Sequence, residues 1–220
     1  MPVTFVNILD PLSIAFVLGG TLVATLLRCG WRDCGAAVQA IAHLFSRPFD
    51  SLRVRAELAV QIREIGERGL IRVEPHQVGD GEFDELSDAL VRHRSIRSLY
   101  DEHERYRARR AALAGTARAV LAEAAELGPV LGLAGTLLSL GGLSALAVDG
   151  DYGSAIGMAV TTTFYGLISA NFLYAPLAGA IGRRARAEEQ ARQDLLDWLT
   201  EAVERAAPAP RRSMQSKAAA

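Results

Sequence analysis

The chain has 220 residues, half of them hydrophobic but only 6% aromatic, with 22% charged and a formal net charge of −1. The length suits one ordinary domain, and the near-neutral charge excludes a global field that would draw in nucleic acid or an acidic substrate. Ala, Leu, Val and Gly therefore supply most of the apolar content, a composition suited to closely packed helices.

Residues 1–27 hold an N-terminal segment and the first of three stretches that lack Asp, Glu, Lys, Arg and His. This stretch, "LSIAFVLGGTLVATLL", is short for a bilayer core of about 30 Å, which takes about 20 helical residues. Asp10 as N-cap and Pro11 at the first helical position would open the helix and lengthen it. No positive charge precedes it and no small-x-small site follows cleanly, so a cleaved signal is not expected.

Residues 28–128 read as a cytoplasmic helical region. Cys29 and Cys34 form a C-x4-C pair with no further ligands at short spacing, so neither a metal nor any other cofactor is expected. His43, His76, His93 and His103 read as solvated helix positions. "SLRVRAELAVQIREIGERGLIRVE" has the pattern of an amphipathic helix ending near Gly66 or Gly69, and "HQVGDGE" reads as a turn. From Phe83 to Leu127 no proline occurs. Phe83, Leu86, Leu90, Ile96, Leu99 and Tyr106 keep an approximate helical spacing there, which predicts one long helix running into the second span. The basic runs "RHRSIR" and "RYRARR" alternate with Asp101, Glu102, Glu104, Glu123 and Glu126 and lack aromatic platforms. They fit a solvated helix near anionic membrane lipid, and no nucleic-acid partner is expected.

Residues 129–182 hold the other two uncharged stretches, 129–148 and 153–182, separated by "DGDY". Both are long enough to span a bilayer. Arg28, Arg32, Arg47, Arg53 and Arg55 follow the first span, and Arg183, Arg184 and Arg186 follow the third, whereas the short connection carries only acids. Basic residues collect on the cytoplasmic side. The amino terminus is therefore expected outside, with the middle region and residues 183–220, a C-terminal helix and disordered tail, in the cytoplasm. The fold class is all-α: an integral membrane protein of three transmembrane helices with a long helical cytoplasmic extension.

Gly128, Gly132, Gly135, Ser139 and Gly142 recur at intervals of three and four, as do Ala159, Thr163, Gly166 and Ala170. Such small faces let membrane helices approach closely and pack. Packing alone leaves the hydroxyls unexplained. Thr161, Thr162, Thr163 and Ser169 are densely grouped, and the neighbouring span adds Thr136. Back-bonding to a carbonyl one turn earlier makes them tolerable in lipid. Uncharged hydroxyls suit a wet path, or a cradle for a carboxylic acid from another chain. Ion pathways normally contain an ionisable group within the membrane, and these spans have no acid or base. A conducted proton would need a carrier on a partner.

"LGPVLGLAGTLLSLGGLSAL" followed by "AIGMAVTTTFYGLISANFLYAPLAG" resembles the MotA/TolQ/ExbB proton-channel family, and within it the flagellar stator branch. The first span is similar to the second transmembrane helix of that branch through its VLGGT core, and "GLIRVE" resembles the branch's G-L-x-x-L-E turn. The resemblance implies an all-helical subunit forming a homo-oligomeric ring, usually a pentamer, around single-span partner helices of the MotB/ExbD/TolR type. The partner supplies a proton-carrying aspartate. By the same resemblance Pro129 and Pro176 occupy the two functional prolines of the channel-lining helices, where a hinge is permitted. Thr163, Thr162 and Thr136 fall on the proton pathway, with Thr163 and Thr136 facing the partner's aspartate. Glu74, with Arg63 and Arg68 nearby, falls at a contact with the flagellar rotor or another partner. Stator-branch members have four spans, and the first has no counterpart here. The family's arginine three residues before the turn's glycine is replaced by Gly66.

The implied function is a stator-type subunit that couples ion flow across the bacterial inner membrane to mechanical work, in flagellar rotation. The alternatives are an ExbB/TolQ-like transducer for envelope transport and a non-conducting membrane scaffold. No nucleophile–base pair, metal cluster or phosphate loop supports an enzyme.

Overall fold

The computed structural model describes residues 10–68, 78–93, 95–141 and 152–206, and among them every regular element is a helix. α1 spans Pro11–Cys29, α2 Trp31–Leu44, α3 Ser51–Arg68, α4 Gly81–His93 and α5 Ile96–Gly141. α6 runs through Tyr152–Ile168, a π-helical turn at Ser169–Tyr174 and Ala175–Ala206. Glu74, His76 and Gly142 lie outside the described residues. α1, α5 and α6 each carry a segment long and apolar enough to cross a membrane.

The chain divides into two compact units, Met1–Ser46 with Arg110–Ala185 and Arg47–Arg109 with Arg186–Ala220. In the first, Asp10 caps α1 as its sequence predicts. Its carboxylate accepts from the Leu12 and Ser13 backbone N–H groups, 3.2 Å each, and Pro11 takes the first helical position. One side of α1 (Ser13, Val17, Thr21 and Thr25, four residues apart) is buried. Leu12, Phe16, Leu22, Val23 and Leu27 point outward, the distribution of a helix bathed on its other sides by lipid or a partner. Gly30, with φ 87°, turns the chain between α1 and α2, a left-handed conformation that a Cβ would strain. α2 then lays Ala37, Ala40, Ile41 and Leu44 against Ala117, Val120 and Leu121 of α5 and Ile181 of α6.

The second unit closes around Val54, Leu58 and Ile65 of α3, Phe83, Leu86 and Leu90 of α4, Leu99 of α5 and Leu195, Leu196, Leu199 and Val203 of α6. The single helix expected from Phe83 to Leu127 is here two, α4 and α5, interrupted between His93 and Ile96. The reason is register. At about 100° per residue, Phe83, Leu86 and Leu90 fall on one side of a continuous helix, with Ile96, Leu99 and Tyr106 roughly opposite. An unbroken rod would bury one set and strand the other. The interruption lets Leu99 join the core of Phe83, Leu86 and Leu90. Asp80 caps the start of α4, its Oδ1 accepting from Glu82 and Phe83 N–H at 3.2 and 3.4 Å.

The expectation of a solvated His103 is also corrected, since its exposure is 2%. Nδ1 lies 2.6 Å from Glu82 Oε1 and Nε2 lies 3.1 Å from Gln193 Oε1. The Gln193 amide is held by donation to Asp197 at 3.0 Å. Beside them Arg192 forks onto both oxygens of Asp80 at 3.0 Å, reaches Glu82 at 2.8 Å and Glu188 at 3.1 Å, and lies over the Phe49 ring. Buried charges persist only when paired and hydrogen-bonded, and Arg192, Asp80 and Glu82 each have several partners.

Candidate functional site

The antiparallel seam between α5 and α6 gathers most of the small and hydroxyl residues picked out in the sequence. Gly128 faces Gly166 and Ala170, Gly132 faces Thr162, Thr163 and Gly166, and Gly135 faces Thr162. The approach is close enough to leave no room for side chains. A Cβ on Gly166 would stand 2.6 Å from the Gly128 carbonyl oxygen, and one on Gly132 would stand 2.9 Å from the Thr162 carbonyl oxygen. Ala159 and Ala170 are buried, whereas Ser139 is half-buried and bonds only its own helix, to Gly135 O at 2.8 Å.

Backbone contact at this range brings two threonines from different helices together. Thr136 Oγ1 lies 2.5 Å from Thr163 Oγ1, 3.0 Å from Ala159 O and 3.1 Å from Gly132 O. Thr163 Oγ1 is also 3.3 Å from Ala159 O. Two hydroxyls hold two protons, fewer than these four contacts would use, so the pair has alternative arrangements. Thr136 donates to Thr163 while Thr163 donates to Ala159 O, or Thr163 donates to Thr136 while Thr136 donates to a carbonyl. Interconversion needs only hydroxyl rotation. Both residues are half-exposed, so each retains acceptor capacity toward an outside donor. Thr162 differs. It also donates to Ala159 O, at 3.0 Å, but it is sealed in the seam against Gly135. Thr161 back-bonds to Gly157 O at 2.8 Å and Ser169 to Gly166 O at 3.1 Å.

Pro129 lies inside α5. Pro176 stands one residue, Ala175, past the π-helical turn of α6. A helical proline lacks an N–H and its ring crowds the carbonyl four residues back, here that of Phe172. A wide π turn at that place relieves the crowding. Arg63 is exposed on α3, and Arg68 ends that helix. Both belong to the other unit from the threonine pair.

Among the described residues no group of three His, Cys, Asp or Glu could hold a metal. The seam is therefore hydroxyl and carbonyl chemistry alone. It can pass or receive a hydrogen bond at two coupled hydroxyls, but it has no acid or base to accept a whole proton. The ionic network around Arg192 and His103 escaped the sequence reading. Its signal was the placement of His103 one turn after buried Leu99, and of Arg192 one turn before Leu195 and Leu196.

A model of the MotA/TolQ/ExbB proton channel family matches residues 78–194, just over half of the chain. A search of the curated proteins found none that matches. Among the solved structures that share the fold are two MotAB assemblies. The Campylobacter jejuni structure (C. jejuni MotAB) is 16% identical with a TM-score of 0.78. The flagellar MotAB stator complex from Bacillus subtilis is 18% identical with the same TM-score. Each alignment covers 92% of this chain and 81% of the other.

Proposed function

This chain belongs to the MotA/TolQ/ExbB proton channel family, and from that premise we infer that it is a stator-type subunit whose proton carrier is an aspartate on a separate single-span protein. The observation that carries this reading is the pairing of Thr136 and Thr163 in spans without any acid or base. A protonated aspartate presented to the pair could donate to either hydroxyl, and an ionised one could accept from it. The seam's dense backbone packing, with Pro129 within it and Pro176 beyond it, suits helices that shift as rigid bodies between those two states. The resemblance to flagellar MotAB structures supports a MotB-like partner, a ring of copies (five by family analogy) and work done on the flagellar rotor. The distribution of arginines supports an inner-membrane location with the amino terminus outside. Arg63, Arg68 and Glu74 are the residues we assign to rotor or partner contact.

The matching family joins TolQ and ExbB to MotA, which supports one second reading, an ExbB/TolQ-like transducer serving envelope transport. Both readings share the borrowed carboxylate. Co-production with a MotB-like single-span protein that carries a membrane Asp should acidify the cytoplasm, and changing that Asp to Asn should abolish the acidification. Acidification that persists without the aspartate would sink the reading. Restored swimming in a stator-deficient strain separates rotation from envelope transport.

A further inference from the structure

α2 has no part in the seam, yet it carries an unpartnered apolar stripe. Trp31, Val38 and Phe45 are spaced seven residues apart, almost two turns, and so share one side of the helix. Their exposures are 79%, 67% and 85%. The orientation is fixed, because Ala37, Ala40, Ile41 and Leu44 are held against α5 and α6. Gly35 and Ala42 lie between the three large residues and keep the stripe free of charge.

Both ends of α2 are tied to places where an apolar run meets its first arginine. At the start, only Gly30 separates it from α1, whose run ends at Arg28, ion-paired with Glu123 at 2.9 Å. Just past its end, Ser46 O accepts from Arg184 at 3.0 Å. Arg183 and Arg184 are the first charges after the uncharged run 153–182. α2 therefore bridges two points at the edge of the membrane. Arg32, His43 and Arg47 flank the stripe, with Asp33 the only acid between residues 28 and 49.

We propose that the outward face of α2 is a lipid-docking surface, with Trp31, Val38 and Phe45 seated at the headgroup–acyl boundary of the leaflet on which α1 ends. Arg32 and Arg47 reach anionic headgroups from its flank. Indole rings settle at that depth, and basic amphipathic helices lie in that plane. Long arginine stems keep their charge among phosphates while the helix body stays apolar. The inference rests on the membrane spans and not on proton conduction, so failure of either leaves the other standing.

The protein contains two tryptophans, and Trp198→Phe leaves Trp31 as the only reporter. The variant is reconstituted at full length in phosphatidylcholine–phosphatidylglycerol vesicles and its emission quenched with acyl-brominated lipid or aqueous iodide. Lipid quenching should exceed iodide quenching severalfold, and the emission should be blue-shifted. Strong iodide quenching with little effect of brominated lipid would place the face in water and overturn the proposal. Protection from both quenchers would put a second protein surface there and overturn it equally. Trp198→Tyr provides a second background that keeps a ring beneath Arg55, which lies 4.7 Å from the Trp198 ring centroid.

Discussion

Thr136 and Thr163 hold their hydroxyl oxygens 2.5 Å apart across two antiparallel helices. The contact exists because Gly128, Gly132 and Gly166 let the two backbones touch. The pair is therefore a product of packing as much as of polarity, and the two contributions separate by substitution.

Thr163→Val keeps the shape of the side chain and removes the hydroxyl. We expect proton flux with the partner to fall about tenfold or more, equivalent to about 1.4 kcal/mol of barrier. Stability should change by only about 0.6 kcal/mol, the usual worth of an interhelical hydrogen bond in a membrane. Thr163→Ser should retain most of the flux. Unchanged flux in the valine variant, measured with an internal pH dye, would take the Thr163 hydroxyl off the proton path.

Gly166→Ala tests the packing directly. Its Cβ would lie 2.6 Å from a backbone oxygen that cannot rotate away, so the helices must separate. Overpacking of this kind costs about 1–3 kcal/mol. A lower melting temperature in detergent and a weakened Thr136–Thr163 contact are expected. Gly115→Ala, with nothing within 4 Å of the added atom among the described residues, should be neutral in the dispersed protein.

Glu82 is a shared acceptor for His103 and Arg192 in the second unit. Glu82→Ala would leave both short of a buried partner, and breaking such a pair costs about 3–5 kcal/mol. Glu82→Gln keeps the volume and should cost less. The comparison is read from thermal unfolding. Equal, small losses would show that the network contributes little.

Asp80 adds a pH dependence. Burial pushes its carboxyl up, but the Arg192 guanidinium on both its oxygens more than offsets this and holds it below the ordinary value of 3.8. A lowered carboxyl stabilises the fold fully above the unfolded value, and the contribution is lost as pH falls through the folded one. Acid destabilisation should therefore steepen below about pH 4 in the wild type and be shallower in Asp80→Asn. Parallel melting curves against pH for the two proteins would refute the assignment.

What could be read from the residues alone follows from how strongly each signal was patterned. Uncharged runs of near-bilayer length announced the spans, and Asp10-Pro11 announced the start of α1. The spacing of Gly128, Gly132 and Gly135 announced a packing face. It did not reveal that Thr136 would meet Thr163, because the partner register depends on backbone contact between helices. α2 escaped because Ala, Gly and Cys give Trp31–Leu44 little contrast between its sides. The interruption before Ile96 was legible in principle, since the stripe of Phe83 and Leu90 changes sides there. His103 reads as solvated by residue type alone, whereas its place one turn after Leu99 carries it into the core.

The central claim is that the membrane part of this chain owns hydroxyls but no acid or base, and so conducts only with a carboxylate from another polypeptide. The most direct measurement is pH equilibration in liposomes containing the purified chain, with and without the single-span partner. We predict no flux above empty liposomes for the chain alone, and flux on adding the partner that disappears with its Asp→Asn variant. Sustained flux from the chain alone, lost in Thr163→Val, would contradict the account.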